Sequence, residues 1–289
     1  MPAISRQKAV AIDRIVMATN LASNSLPMLS YTRALAVHFS ARVDVLHVAD
    51  LSLLARAAEG LSAPALDSIL IQNRDLLCEA ARRMQGIHAE CVEIRGWDRS
   101  QAILDYADQV KAGLIVMGTS GRQGLTKIVF GSTAEAVFRH ARCPVLTVGP
   151  KVKPLLEGEL MNSILCAADF SAESVRAVGA ALAFAEKQHA RLYVCHVVKA
   201  KEEKLSRPDE EWRTELQRMI PASAYAWCSP SCVVEHGEAA NVLLELAEKI
   251  HAQLIVLGSR KERFGQMLMQ TGLTPALLAK ATCAVLTIS

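Results

Sequence analysis

Short runs of branched apolar residues alternate along the chain with longer segments in which apolar residues recur at helical spacing. In the first half this pattern predicts strands near 14–18, 42–48, 90–94, 114–117 and 144–148, and helices near 27–39, 64–85, 99–111 and 132–141. Strands that are separated by helices pair in parallel through right-handed crossovers. The pattern therefore predicts a doubly wound α/β sheet, whose ligands bind beyond the carboxyl ends of the strands, near the point where strand order reverses.

The chain repeats this pattern. Five segments match five later ones in the same order: 14–20 with 163–169, 43–48 with 192–197, 91–96 with 232–237, 114–118 with 254–258, and 143–147 with 283–287. A polar, proline-containing connector runs through 150–159. We therefore predict two domains, 1–150 and 151–289, each with its own parallel sheet.

Composition restricts the class of protein. Of 289 residues, 51% are hydrophobic but only 4% are aromatic, so the cores are built mainly from Ala, Val, Leu and Ile. A net charge of +3 is too small to indicate binding to nucleic acid or to an anionic membrane. The apolar runs are too short for a signal peptide or a membrane span, and we expect a soluble, cytoplasmic protein.

Eight cysteines raise the question of disulfides or zinc. Six of them stand singly in apolar strand or helix contexts, where cysteine behaves as a small hydrophobic residue. Cys228 and Cys232 form the one close pair, and no second pair stands at the spacing of a zinc site. We therefore expect reduced thiols within the cores.

The predicted strand at 114–117 leads directly into a glycine-rich segment that contains Gly118, Gly121 and Gly131. A helix is expected to follow at once, because Ser132 and Glu135 are spaced as in a capping box. Glycines let backbone N–H groups approach a phosphate closely, and a helix N-terminus adds partial positive charge. The segment therefore predicts an anion site.

The second half has lost this segment. In the gap-free alignment of 114–148 with 254–288, ten of 35 positions are identical, but none of the 15 positions in 119–133 is. The first-half glycines at 121, 124 and 131 are replaced by Lys261, Phe264 and Thr271. Because these side chains stand where close backbone approach is needed, we predict that the second site is degenerate.

The spacing Gly118-x2-Gly121-x9-Gly131-Ser132 resembles the nucleotide-binding motif of the ATP-binding universal stress proteins. Two further segments are similar to that family: the strand-end pattern at 164–171 and Leu-His-Val at 46–48. The resemblance covers nearly the whole chain. It implies two domains of five parallel strands and four helices each, which pair through their last strands, 145–148 and 285–288, as a pseudo-dimer within one chain.

The resemblance also implies a ligand site in the first domain, for ATP alone or together with Mg²⁺. The base and ribose are expected at Ala18, Thr19, Asn20, Val48 and Met117. The phosphates are expected on Gly118, Gly121, Gly131, Ser132 and Thr133. One position departs from the family: its strand-one aspartate is Asn20 here, whereas Asp169 keeps the carboxylate beside the degenerate loop. An amide both donates and accepts hydrogen bonds, so the ligand geometry is expected to differ.

Three functions agree with these features. The favoured one is a stress-response and signalling module that binds an adenine nucleotide through its first domain and acts through unidentified protein partners. The alternatives are a slow ATP hydrolase that uses a divalent metal, and a nucleotide-free scaffold. His47 and His196 recur at equivalent strand ends, where a structural role is expected because no nucleophile accompanies them. Whether the pseudo-dimers assemble further is open.

Overall fold

The computed structural model describes residues 12–21, 26–60, 62–119, 131–159, 161–199, 207–259 and 272–288. Strands and helices alternate as expected. The strands are β1 (Arg14–Ala18), β2 (Arg42–Asp50), β3 (Ala89–Gly96), β4 (Leu114–Gly118), β5 (Val145–Val148), β6 (Ser163–Ala167), β7 (Arg191–Val198), β8 (Ser231–His236), β9 (Leu254–Gly258) and β10 (Ala284–Ile288). We call the part that contains β1–β5 the first half and the part that contains β6–β10 the second half.

The described helices of the first half are α1 (Leu26–Phe39), α2 (Leu51–Gly60), α3 (Ala63–Arg82), α4 (Arg99–Gln109) and α5 (Ser132–His140). Those of the second half are α6 (Ala172–Gln188), α7 (Asp209–Arg218), α8 (Ala239–Lys249) and α9 (Leu273–Lys280), with a short 3-10 turn at Ala222–Ala226. Among the described residues the first half thus has one helix more than expected, α2. Its start is set by Asp50, whose carboxylate accepts a hydrogen bond from the Ser52 backbone N–H at 2.9 Å.

All ten strands form one sheet, in the order β3-β2-β1-β4-β5-β10-β9-β6-β7-β8. Within each half the strands are parallel, whereas β5 and β10 pair antiparallel with Leu146 opposite Leu286. The predicted pairing of the two last strands is therefore confirmed. In the first half strand order reverses between β1 and β4, and the corresponding point in the second half lies between β6 and β9.

The two faces of the sheet are covered differently. On one face a single buried core runs through both halves and includes Leu35, Leu146, Phe184 and Leu286. On the other face each half has a separate core of its own. Successive side chains of a strand point to opposite faces of the sheet. Ile15 therefore faces the shared core, and its neighbour Val16 faces the separate core of the first half. The halves are therefore joined by one layer of helices as well as by the sheet.

Two threonines stand at equivalent positions around the centre of the β5–β10 pair. Thr147 lies opposite Val285, and Thr287 lies opposite Val145. Both are buried, but the Thr287 hydroxyl donates to the Val145 carbonyl oxygen at 3.2 Å, whereas the Thr147 hydroxyl has no hydrogen-bond partner among the described residues. The same side chain is therefore satisfied on one strand and unsatisfied on the other.

This difference predicts opposite effects of the same substitution. Thr147→Val removes an unpaired buried hydroxyl and should raise the free energy of unfolding by about 1 kcal/mol, whereas Thr287→Val breaks a hydrogen bond and should lower it by about 1 kcal/mol. Urea unfolding of the two variants beside the wild type measures both changes. Equal effects of the two substitutions would contradict this account.

Candidate functional site

The carboxyl ends of three neighbouring strands bring the predicted base and ribose residues together. Ala18, the last residue of β1, is in register with Leu46 of β2 and with Met117 of β4. The chain continues the pairing one residue further, because the Thr19 backbone N–H donates to the Leu46 carbonyl oxygen at 2.9 Å. Val48 lies two residues beyond that point on β2. These residues therefore share one edge of the sheet, at the reversal of strand order.

Most of these side chains face the core and not the crevice above it. Ala18, Val48 and Met117 belong to the buried cluster under α4 and α5, while Asn20 and Gly118 are exposed. A ligand at this edge would therefore meet mainly backbone groups of the buried residues, together with the side chain of Asn20. Such a surface recognises a ligand through its hydrogen-bond pattern rather than through bulky side chains.

The two ends of the glycine segment are tied to each other. Thr119 donates its backbone N–H to the Val148 carbonyl oxygen at 3.2 Å, and its own carbonyl oxygen accepts from the Gly131 N–H at 3.3 Å. An ideal Cβ on Gly131 would stand 3.1 Å from that same oxygen, so a larger residue would push the ends apart. The predicted phosphate contact Gly121 belongs to 120–130, which lies outside the described residues.

The start of α5 differs from the expected capping box. The N-cap is Gly131, Ser132 is the first helical residue, and no side chain caps the helix. Glu135 instead pairs with Arg139, its carboxylate lying 3.4 Å from the guanidinium Nη2. The prediction of a Ser132 cap was therefore wrong, because the glycine supplies the extended backbone one residue earlier. The first N–H groups of a helix have no intrahelical acceptor, so those of Ser132 and Thr133 are suited to an anion.

Polar groups hold the neighbouring strand end. The His47 ring Nδ1 lies 3.1 Å from the Thr19 carbonyl oxygen, which joins β2 to the end of β1. Beyond it, Asp50 Oδ2 accepts a hydrogen bond from Arg99 Nε at 2.9 Å and lies 2.9 Å from Arg99 Nη2. The other oxygen, Oδ1, accepts from Ser52, so both oxygens of this carboxylate are held. This contact of His47 with the backbone agrees with the structural role expected for it.

Two residues at this edge were missed in the sequence. Trp97 is 71% exposed. It directly follows Gly96, and an ideal Cβ on Gly96 would lie 3.6 Å from Val48 Cγ1. Thr119 is 4% exposed, and its hydroxyl has no hydrogen-bond partner among the described residues. The sequence did contain a signal for Trp97. In the first half Trp97 stands between Gly96 and the helix N-cap Asp98, whereas in the second half Gly237 is followed directly by the N-cap Glu238.

The equivalent edge of the second half is filled by the protein itself. An ideal Cβ on Gly258 would lie 2.5 Å from the carbonyl carbon of Glu173, in the first turn of α6. On Gly118, the equivalent residue, the nearest described atom is the Val148 carbonyl oxygen at 3.9 Å. Asp169, which keeps the family carboxylate, accepts hydrogen bonds from the backbone N–H and hydroxyl of Ser171. Its Oδ1 is therefore engaged in starting α6.

Aromatic side chains surround the histidine at the end of β7. His196 Nδ1 lies 2.9 Å from the Ala168 carbonyl oxygen. This contact is equivalent to the one between His47 Nδ1 and the Thr19 carbonyl oxygen. Phe170 and Trp212 pack against the imidazole, with ring centroids at 4.7 and 4.8 Å, and the Arg207 guanidinium lies 3.8 Å above the Trp212 ring. Phe170 also packs against the core that both halves share. The loop on which the predicted degeneracy of the second site rests, 260–271, lies outside the described residues.

The last helix begins one residue later in the second half than in the first. The gap-free alignment places Thr271 opposite the N-cap Gly131, yet the N-cap of α9 is Gly272, while the C-caps Ala141 and Ala281 are aligned. A glycine therefore precedes the last helix in both halves. Within the described ranges, no group of three or more His, Cys, Asp or Glu is placed to hold a metal ion. The described helices include none that is long and apolar enough to cross a bilayer.

The parallel sheet, its reversal point and the helix that begins at the strand edge define a doubly wound α/β protein with two equivalent edges. The model of the universal stress protein family matches residues 11–149 and again 161–289. The chain therefore belongs to the universal stress protein family, with two domains of that family in tandem.

Individual relatives agree with this assignment. A universal stress protein of Methanocaldococcus jannaschii is 34% identical over 141 residues, which cover 47% of this chain and 81% of that protein. Universal stress protein E of Escherichia coli is 33% identical over 88 residues, 30% of this chain and only 28% of that protein. The solved structure of a universal stress protein from Archaeoglobus fulgidus covers 96% of each chain with a TM-score of 0.75 and 24% identity, and so shares the fold.

Proposed function

We propose that this protein binds one ATP per chain, in the crevice of its first half, and acts as a nucleotide-dependent binding module in a stress response. The phosphates would lie on Gly118, Gly121, Gly131, Ser132 and Thr133. The base and ribose would lie against Ala18, Thr19, Asn20, Val48 and Met117. Ligand binding to one conformation shifts stability and surface, which is what a module that signals through protein partners requires.

The observation that carries this proposal is the contrast between Gly118 and Gly258. The two residues end equivalent strands, and among the described residues a helix turn packs against Gly258 alone; 22–25, which follow β1 as the start of α6 follows β6, lie outside the described residues. A nucleotide needs open backbone at this point, and the first half alone offers it among the described residues. The uncapped start of α5 leaves the N–H groups of Ser132 and Thr133 without intrahelical acceptors, and these donors suit phosphate.

Calorimetric titration of the full chain with ATP tests this directly. We expect one site per chain. Gly118→Val adds a side chain at a position whose nearest described atom is the Val148 carbonyl oxygen, 3.9 Å from the ideal Cβ, and Gly121→Lys removes a glycine from the loop. Each should weaken binding about tenfold or more, which corresponds to about 1.4 kcal/mol. Titrations with Mg²⁺ and with a chelator determine whether the metal contributes.

The matched control is Gly60→Ala at the end of α2, where an added Cβ meets no atom within 4 Å. It should leave the affinity unchanged. Two equal sites, or no binding by the folded wild type, would overturn the proposal. Full affinity in both crevice variants would show that ATP binds elsewhere.

Trp97 offers a second readout at the same edge. It is 71% exposed, whereas Trp212 is 7% exposed and Trp227 is half-buried, so a ligand beside Val48 should change mainly the emission of Trp97. We expect ATP to shift the fluorescence of the wild type and of Trp227→Phe. The shift should be lost in Trp97→Phe. A shift that persists without Trp97 would place the nucleotide away from this edge.

A further inference from the structure

The outer edge of the first half contains a covalent link that the sequence did not indicate. Cys78 of α3 and Cys91 of β3 form a disulfide, with their Cα atoms 5.2 Å apart. The expectation of reduced core thiols was wrong for this pair, since residues 13 apart in sequence are brought together by the return of the chain from helix to strand. β3 is an edge strand of the sheet, so the link lies at the rim of the molecule.

This pair differs from the other six cysteines in its access to solvent. Cys91 is exposed and Cys78 is half-buried, while the free cysteines are buried or half-buried. Burial raises the pKa of Cys143 and Cys232 to about 11 and that of Cys283 to about 12, which keeps these thiols protonated. The thiolate is the reactive form of cysteine, so these buried thiols are poor partners for exchange.

The link also lies where α3 is attached to the rest of the fold. Among the described side chains of α3, Leu77 alone is buried, and it precedes Cys78. Three apolar residues that precede Leu77 in the helix are exposed: Ile69 at 40%, Ile71 at 62% and Leu76 at 46%. A helix with so few buried apolar contacts depends strongly on any covalent tie at its point of contact.

We propose that Cys78 and Cys91 are a thiol–disulfide exchange site for small-molecule disulfides of the glutathione type, and that the link controls how firmly α3 is held to the sheet. The exposed Cys91 thiolate attacks one sulfur of the small disulfide, forms a mixed disulfide and releases one small thiol. The Cys78 thiolate then displaces the second small thiol and closes the protein disulfide. Two protein thiols are oxidised, one small disulfide is reduced, and the two protons pass to the two released thiols.

Redox titration of the full chain tests the exchange. The native protein is equilibrated in buffers of reduced and oxidised glutathione, quenched by alkylation, and mapped by mass spectrometry. We expect the Cys78–Cys91 link to form and to open reversibly as the ratio changes. Cys78→Ser should accumulate the mixed disulfide on Cys91, while Cys143→Ser, which removes a half-buried unlinked thiol, should behave as the wild type.

Two results would overturn the proposal. One is independent alkylation of both thiols at every ratio, which would mean that the link does not form. The other is a link that glutathione opens only after denaturation, which would make it a permanent brace. No nucleotide is present in these samples, so neither result depends on whether the protein binds ATP.

Hydrogen exchange tests the effect on α3. Backbone amides of α3 should exchange about tenfold faster in the reduced protein than in the oxidised one, and equally fast in Cys78→Ser under both conditions. Those of α8, at the other side of the molecule, should not change. Equal protection of α3 in both redox states would refute control of this helix by the link.

Discussion

Gly258→Ala should lower the free energy of unfolding by about 3 kcal/mol, because its new Cβ would overlap the backbone of the first turn of α6. The overlap is with the carbonyl carbon and oxygen of Glu173, at 2.5 and 2.6 Å from the ideal Cβ position. Backbone atoms in a packed helix cannot rotate away as the end of a flexible side chain can. Relief of the overlap requires that α6 shift from the end of β9.

The matched substitution is Gly118→Ala in the first half, where the nearest described atom is 3.9 Å away. It should change stability by no more than about 0.5 kcal/mol, since surface substitutions without close contacts have small effects. Neither glycine has a positive φ, so alanine is allowed by the backbone at both positions. Chemical unfolding of the two variants measures the difference. Equal losses would show that the crevice in the first half is closed as well.

The contrast explains why a duplicated chain has two different edges. In the second half the first turn of α6 packs against Gly258, whereas the nearest described atom to the equivalent position on Gly118 is 3.9 Å away. The second half is joined to the first by the antiparallel pairing of β10 with β5.

The strands and the repeat could be predicted because they depend on local patterns. The four residues before Gly118 in β4 are all buried, and their copies in β9 differ only at the last of the four, where leucine replaces Met117. Two helix starts could not be predicted with equal ease. Asp50 ends a strand and caps α2 at once, and Gly131 caps α5 in place of Ser132. Both residues stand at the boundary of an element, and sequence patterns predict the exact first and last residues of helices and strands poorly.

The features that could not be predicted are those that depend on contacts between residues far apart in the sequence. The Cys78–Cys91 link needs the path of the chain from α3 into β3, which no spacing rule contains. The blocked edge at Gly258 needs the position of α6, which begins more than 80 residues earlier in the sequence. Comparison of the two loops did indicate which edge is altered, but not that a helix turn packs against its strand-end glycine.

The shared core predicts that the two halves unfold together. Phe184 of α6 is fully buried and packs edge-on against Phe39 of α1, with ring centroids 5.0 Å apart. Phe184→Ala should lower the free energy of unfolding by about 4 kcal/mol, through lost burial and the cavity left behind. Because the cavity lies between the halves, amide exchange should accelerate in β1 of the first half as well as in β6 of the second.

Leu243→Ala is the matched control, since Leu243 is equally buried but belongs to the core that is confined to the second half. Its loss of about 3 kcal/mol should accelerate exchange in α8 and β9 while leaving α1 protected. If Phe184→Ala prevents folding, Phe184→Leu gives a smaller cavity and the same spatial pattern. Faster exchange limited to the second half in both Phe184 variants would mean that the halves are independent units, joined by β5 and β10 alone.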